Sequence, residues 1–164
     1  VRPKTIIEVG TFLGGSAIHM AKIVAELGLE TQIICVDDFR GWPGWFPEED
    51  SIVQINGDKV LLYQFMQNVV TANATDTILF VPFGTSTALT SLCKFGIYGD
   101  LVEIDAGHDF HSAWNDINNG YKLLRPGGVL FGHDYGWDSV RAAVELFASK
   151  HGLRIRVDGA HWIL

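Results

Sequence analysis

The side chains able to do chemistry in this sequence gather at the ends of short apolar runs. Glu8 and Gly10 close Ile6-Ile7-Glu8-Val9, and Asp37 follows Ile33-Ile34-Cys35-Val36. Asp105 follows Leu101-Val102-Glu103-Ile104, and His133-Asp134 follow Val129-Leu130-Phe131-Gly132. Strand cores of Ile, Val and Leu cannot bind a polar ligand, so binding and catalysis belong to these ends. Asp105 and Asp134 can converge on one cation if their strands are neighbours about 4.8 Å apart. A hard, water-rich ion such as Mg²⁺ commonly takes only one or two protein carboxylates. His133 or Asp109 can complete such a shell, and the residue types do not choose between them. The two aspartates could instead hold loops or substrate by hydrogen bonds. His108 stands three residues after Asp105. Its imidazole suits removal of a hydroxyl proton near neutral pH, although a loop histidine can also simply cap the next helix.

A second constellation is Gly10-Thr11-Phe12-Leu13-Gly14-Gly15-Ser16, lying between the first apolar run and the helical pattern Ala17, Ile18, Met20, Ala21, Ile23, Val24. This reads as a strand, a tight glycine turn and a helix N-terminus, which together present bare backbone N–H groups and the positive end of a helix dipole. Such a turn can hold a carboxylate or phosphate, or it can be a packing turn. On the binding reading, Gly10 is glycine because backbone approaches ligand there, so Gly10→Val should weaken binding while the fold survives. The turn does not follow G-x-G-x-x-G. Asp37, at the end of the second run, can accept both hydroxyls of a ribose or cap a turn. Thr85 and Ser86 follow the third run, where an adenine edge would lie, or they serve as an N-cap.

These residues need a scaffold of alternating strands and helices. Strands are predicted at Thr5–Val9, Gln32–Val36, Thr77–Val81, Leu101–Ile104 and Val129–Gly132. Helices are predicted at about Ser16–Leu27, Lys59–Thr71, Thr87–Cys93, Ser112–Leu124 and Ser139–Lys150, with Phe65 and Met66 in the core. Arg125-Pro126-Gly127-Gly128 reads as a stop signal. Asp158-Gly159 reads as a hairpin turn between short strands Arg154–Val157 and Trp162–Leu164. Alternation through five units gives an α/β fold with a doubly wound, mainly parallel sheet, helices on both faces, and a closing hairpin that adds one antiparallel strand. The aromatic, Gly- and Pro-containing stretch 39–50 reads as a long functional loop or lid, or equally as a loop whose aromatics pack on the body. Trp42, Trp45 and Trp137 could wall an acceptor, and packing is the other reading. His19, His111, His151 and His161 read as structural or solvated.

At 164 residues, with 48% hydrophobic and 19% charged side chains, the chain fits a single domain, residues 1–164. A net charge of −7 argues against nucleic acid as a partner. No apolar run approaches the ~20 residues of a membrane span, so no membrane partner is expected. Val1-Arg2-Pro3-Lys4 leads directly into the first strand, which gives the expectation of no secretory leader. Cys35 and Cys93 lie in apolar contexts and are expected to be buried free thiols, consistent with a reducing, cytoplasmic location.

Taken together, the motifs resemble class I S-adenosylmethionine-dependent methyltransferases of the methyltransferase-24 type. Glu8-x-Gly10-x-x-x-Gly14 is similar to the first motif, Asp100–His108 to the fourth and Leu124–Asp134 to the fifth, in the correct order along nearly the whole chain. The resemblance implies a Rossmann-like, seven-stranded sheet ending in a reversed hairpin. It implies S-adenosylmethionine held by Glu8, Gly10, Thr11, Gly14, Ser16, Asp37, Thr85, Ser86 and Asp105. The nearest types are small-molecule O-methyltransferases acting on catechols or macrolide sugars, which use a divalent metal; here Asp105 and Asp134 would hold it. Catechol-type relatives carry a lysine base at the position of His108 and macrolide-type relatives a histidine, so Asp105 and His108 form the expected catalytic pair. The chain departs from the catechol type by having His133-Asp134 where that type has an acid–amide pair. The expected partner is a small-molecule acceptor, with homo-oligomerisation left open. Competing readings are a nucleotide-dependent oxidoreductase and a non-catalytic cofactor-binding member of the superfamily.

Overall fold

The computed structural model describes residues 2–41 and 52–164. In chain order the elements are β1 (Thr5–Val9), α1 (Gly15–Glu26), β2 (Gln32–Val36), β3 (Gln54–Ile55), β4 (Asp58–Lys59), α2 (Leu61–Thr71), β5 (Ile78–Val81), α3 (Thr85–Lys94), β6 (Gly99–Ile104), α4 (Phe110–Lys122), β7 (Leu124–Gly132), α5 (Asp138–His151), β8 (Arg156–Asp158) and β9 (His161–Ile163). The main sheet has seven strands in the order β5-β2-β1-β6-β7-β9-β8. Its first five are parallel, and β9 runs antiparallel to both β7 and β8. This is the expected doubly wound architecture with its closing hairpin.

Side-chain alternation along the strands builds two cores. Ile6, Ile33, Cys35 and Ile78 face Ala17 and Ala21 of α1 and Leu61, Phe65 and Val69 of α2. Ile7, Val9, Ile34, Val36, Val102, Ile104 and Leu130 face α3, α4 and α5 through Leu89, Ile117, Val144 and Phe147. The strands are apolar on both faces because both faces are covered by helices. Chain direction across the sheet reverses at β1, which pairs with β2 on one side and β6 on the other. The crevice beyond the carboxyl ends of β1 and β6 is thereby opened.

Local details differ from these expectations or add to them. Met66 is 36% exposed, so only Phe65 of that pair is core. Arg125–Gly128 does not separate α4 from the next strand, because β7 runs through it with a register irregularity opposite Gly99–Leu101. A small hairpin, β3–β4, turns on Asn56-Gly57, both left-handed at φ 52° and 85°, as a tight primed turn requires. Cys35 is buried but Cys93 is only partly so, and both are free thiols. Trp42 and Trp45, with most of the expected lid, lie outside the described residues. Phe39 does not join a lid; it is buried against Phe65 with ring centroids 5.1 Å apart.

Candidate active site

A cavity of about 930 Å³ opens at the carboxyl ends of β1, β2, β5, β6 and β7. Its floor continues the sheet ladder: the amides of Gly10, Asp105 and His133 donate to the carbonyls of Val36, Val9 and Ile104. Each strand end is thereby fixed to its neighbour, and the polar residues that follow are held at one rim.

Gly10 has φ +89°, and a Cβ there would lie 2.0 Å from the carbonyl oxygen of Asp105. The glycine is therefore imposed by the passage of the β6 backbone, and the expectation that Gly10→Val spares the fold is corrected. Gly14 also has positive φ, and its missing Cβ would meet the Phe65 ring at 2.9 Å. Its constraint is packing, and it is outside the cavity lining, whereas Gly10, Thr11 and Ser16 line it.

Glu8 is fully buried and does not line the cavity. Its two carboxylate oxygens accept the hydroxyls of Thr11 and Ser16, so it acts on the turn through these residues. Burial pushes its carboxyl up to about 7, with the Ser16 hydrogen bond opposing. Asp37 Oδ2 accepts the amides of Thr11 (2.9 Å) and Phe12 (2.8 Å), and Oδ1 accepts that of Phe39 (2.7 Å). Phe12 and Phe39 are left-handed at φ 50° and 56°. Asp37 thus braces two strained turns, and its carboxylate has only part of its accepting capacity left for a ribose.

The other rim carries the titratable cluster. Asp105, His108 and Asp134 each present one donor atom, all within 4.8 Å of one another. His108 Nε2 is 2.7 Å from Asp134 Oδ2, and His133 Nδ1 is 3.1 Å from Asp134 Oδ1 and 3.9 Å from Asp105 Oδ1. Burial pushes the Asp105 carboxyl up, while His133 beside it pulls the other way. Asp134 is left-handed at φ 57°, a strained conformation that turns its carboxylate toward both histidines. His108 is fixed from three sides: Asp134, the Trp137 ring stacked at 5.2 Å, and Ser139 Oγ donating to its carbonyl at 2.5 Å. Of the open choices for a third metal donor, Asp109 is not in the cluster. It caps α4 by accepting the amides of His111 and Ser112. The grouping of three contains His108 rather than His133. His161 lies edge-on to the His133 ring at 4.7 Å.

The third wall comes from α3 and α4. Thr85 and Ser86 line the cavity, and neither is an N-cap, a position held by Gly84. Thr85 Oγ1 donates to Asp116 Oδ1 at 2.7 Å, and Asn115 Nδ2 donates to Ser86 Oγ at 2.7 Å. Asp116 is 3% exposed, and burial pushes its carboxyl up to about 6 against the Thr85 hydrogen bond. Sequence reasoning missed Asp116, although it offers a signal: it falls in the stripe of Ala113, Ile117 and Gly120 that α4 buries.

A family model described as a methyltransferase domain matches residues 7–135. The chain belongs to the methyltransferase-domain family. No curated protein sequence matches it. Solved structures share the fold of this methyltransferase domain. An O-methyltransferase from Bacillus cereus in complex with SAH is 18% identical with TM-score 0.68, and the match covers 98% of this chain and 72% of that one. The O-methyltransferase NovP is 18% identical with TM-score 0.69, covering 98% and 70%. The O-methyltransferase TomG from Streptomyces achromogenes, in complex with SAM, is 18% identical with TM-score 0.66, covering 99% and 72%. Among the described residues of the methyltransferase domain, no helix is long and apolar enough to cross a membrane.

Proposed function

We propose that this methyltransferase domain transfers the methyl group of S-adenosylmethionine to a hydroxyl of a small molecule, with a divalent cation at Asp105 and Asp134. The convergence of Asp105, His108 and Asp134 on the rim of the cavity that also takes in the glycine turn carries this reading. The charge of the wall supports it. Asp37, Asp38, Asp105, Asp116 and Asp134 line the cavity, with no Lys or Arg among the described lining residues. Such a wall favours a ligand bearing a sulfonium and an ammonium, and offers no cationic side chain to the pyrophosphate of a dinucleotide.

When bound, S-adenosylmethionine supplies a methyl carbon activated by positive sulfur. The turn from Gly10 to Ser16, braced by Glu8 and Asp37, fixes where that group sits. Aligning acceptor oxygen, methyl carbon and sulfur is the main task, because orientation supplies a large part of the barrier reduction. Asp105 and Asp134 are hard oxygen donors that fit Mg²⁺ or a similar ion, which would acidify a neighbouring hydroxyl. Asp134 orients the His108 ring through Nε2, and this imidazole is the group assigned to receive the hydroxyl proton.

The test is methyl transfer from radiolabelled S-adenosylmethionine to a panel of diphenols and sugars with and without Mg²⁺. Chelation should abolish turnover while calorimetric cofactor affinity is retained. His108→Gln should lower turnover by about 10²–10⁴ near neutral pH, with the deficit shrinking as the pH approaches that at which the hydroxyl ionises unaided. Cofactor binding with no transfer to any acceptor would favour a non-catalytic member, and unchanged turnover in His108→Gln would remove the base.

A further inference from the structure

We propose that His133 is an imidazole donor to the cation of this site and makes the site select a late first-row divalent ion, such as Co²⁺, Ni²⁺ or Zn²⁺, over Mg²⁺. The inference rests on the cation reading given under Proposed function, which places the ion at Asp105 and Asp134.

Spacing separates the two histidines of the rim. Donors about 2.1 Å from one ion stand roughly 3.0 Å apart when adjacent and about 4.2 Å apart when opposite. His133 Nδ1 is 3.1 Å from Asp134 Oδ1 and 3.9 Å from Asp105 Oδ1, both inside that range. His108 Nε2 is 2.7 Å from Asp134 Oδ2, a hydrogen-bond length too short for two donors of one ion. Asp134 thus turns one oxygen to His108 and the other to His133. A proton on His133 Nδ1 reaches only the Asp134 oxygen, because Asp105 stands beyond hydrogen-bond distance, whereas an ion in place of that proton can serve both aspartates. His108 also presents a donor atom within 4.8 Å of both aspartates, so the experiment must tell the two rings apart.

The fold prepares His133 for this role. Its amide donates to the Ile104 carbonyl at 3.2 Å, and its carbonyl accepts Trp162 Nε1 at 3.0 Å. Trp162 is fully buried, so the hairpin that closes the sheet fixes the backbone of His133. His161 of the same hairpin stands edge-on to the ring at 4.7 Å. A donor supported in this way gives up little freedom when it takes an ion. The donor type then sets the ion. Carboxylates and water suit Mg²⁺, which dehydrates reluctantly, while neutral imidazole suits the later first-row ions.

The experiment uses Co²⁺, Mg²⁺ and Cu²⁺ as probes on the metal-free wild-type chain, on His133→Gln and on His108→Gln, with folding checked by circular dichroism. In calorimetry, His133→Gln should weaken Co²⁺ binding by at least roughly 10- to 100-fold, the cost of losing even an outer-shell partner of a metal, and leave Mg²⁺ affinity nearly unchanged. Pulsed electron paramagnetic resonance at one equivalent of Cu²⁺ should show modulation from the remote nitrogen of a coordinated imidazole in wild type and in His108→Gln, and none in His133→Gln. Modulation that survives in His133→Gln would overturn the proposal. Equal weakening of Co²⁺ and Mg²⁺ by that variant would do the same, as the mark of a merely structural role. Wild type that binds Co²⁺ no tighter than Mg²⁺ would refute the selectivity without recourse to a variant. Wild type that binds Mg²⁺ but gives no imidazole signal would sink this assignment and leave the cation reading standing, and wild type that binds no divalent ion would sink both.

Discussion

Replacing Glu103 by Gln should stabilise the protein at pH 8 and leave it nearly unchanged at pH 4.5. Glu103 of β6 stands opposite Glu8 of β1 in register, is 5% exposed, and its Oε2 has no hydrogen-bond partner. Burial, with Glu8 and Asp105 adding to it, pushes the carboxyl up to about 8. The folded protein therefore keeps a proton that the unfolded chain releases near 4.5. Stability from this group is full below the unfolded value and is lost progressively as pH rises toward 8. Holding a proton from 4.5 up to about 8 sets a ceiling of roughly 4–5 kcal/mol at alkaline pH. Glu8 competes for the same relief, so about 2 kcal/mol is expected. Glutamine keeps the shape, cannot ionise, and can donate its amide toward Glu8. Thermal unfolding followed by circular dichroism at pH 4.5 to 8.5 should show a Tm gain that grows with pH. At pH 8 it should reach about 4–8 °C for a domain of this size. A Tm difference that does not depend on pH would refute the reasoning, because it would mean that Glu103 carries no displaced proton.

Two further outcomes separate folding from binding. Gly10→Ala should destabilise the fold by at least about 2 kcal/mol in denaturant titration, since it combines a left-handed backbone with a Cβ 2.0 Å from the Asp105 carbonyl oxygen; a stable variant would show that β6 can yield there. Asp100 accepts the amides of Lys4 (2.7 Å) and Thr5 (2.9 Å) and pairs with Arg125 at 3.0 Å. Partial burial pushes its carboxyl up, but the Thr5 amide and Arg125 outweigh this and hold it below the ordinary value. Asp100→Asn should therefore cost about 1–2 kcal/mol at pH 7 and less as pH falls below the carboxylate range, with S-adenosylhomocysteine affinity unchanged because Asp100 sits at the far end of the sheet.

The fold was readable in the sequence because each strand of the parallel sheet contains a short apolar run closed by a polar residue, a glycine or, after β5, Pro82. Element order then forces a doubly wound sheet. The site was readable to the level of which strand ends converge, and Asp105, His108 and Asp134 do meet. The partners of each carboxylate were not readable. Glu8 and Asp37 occupy motif positions, but their oxygens go to Thr11, Ser16, Phe12 and Phe39, a matter of rotamer and turn geometry that spacing does not encode. Gly10 and Gly14 carry the motif, yet their constraints come from Asp105 backbone and Phe65. Asp116 was hidden because an acid on a helix reads as solvated until the helix's buried stripe is identified.

The placement of β1 at the reversal point also bears on how the chain is made. β1 pairs with β2 about 27 residues downstream, but its other neighbour, β6, lies about 95 residues away. During synthesis β1, β2 and β5 can form a three-stranded sheet while the second edge of β1, carrying Ile6, Ile7 and Val9, still waits for Leu101–Ile104. An apolar edge open for that interval is the kind that pairs with other chains. Closure by β6 removes this hazard and, in the same step, brings Asp105 beside Gly10. The candidate active site therefore cannot exist on any folding intermediate that still exposes that edge, and a ligand of the site should bind only to chains already past the aggregation-prone stage.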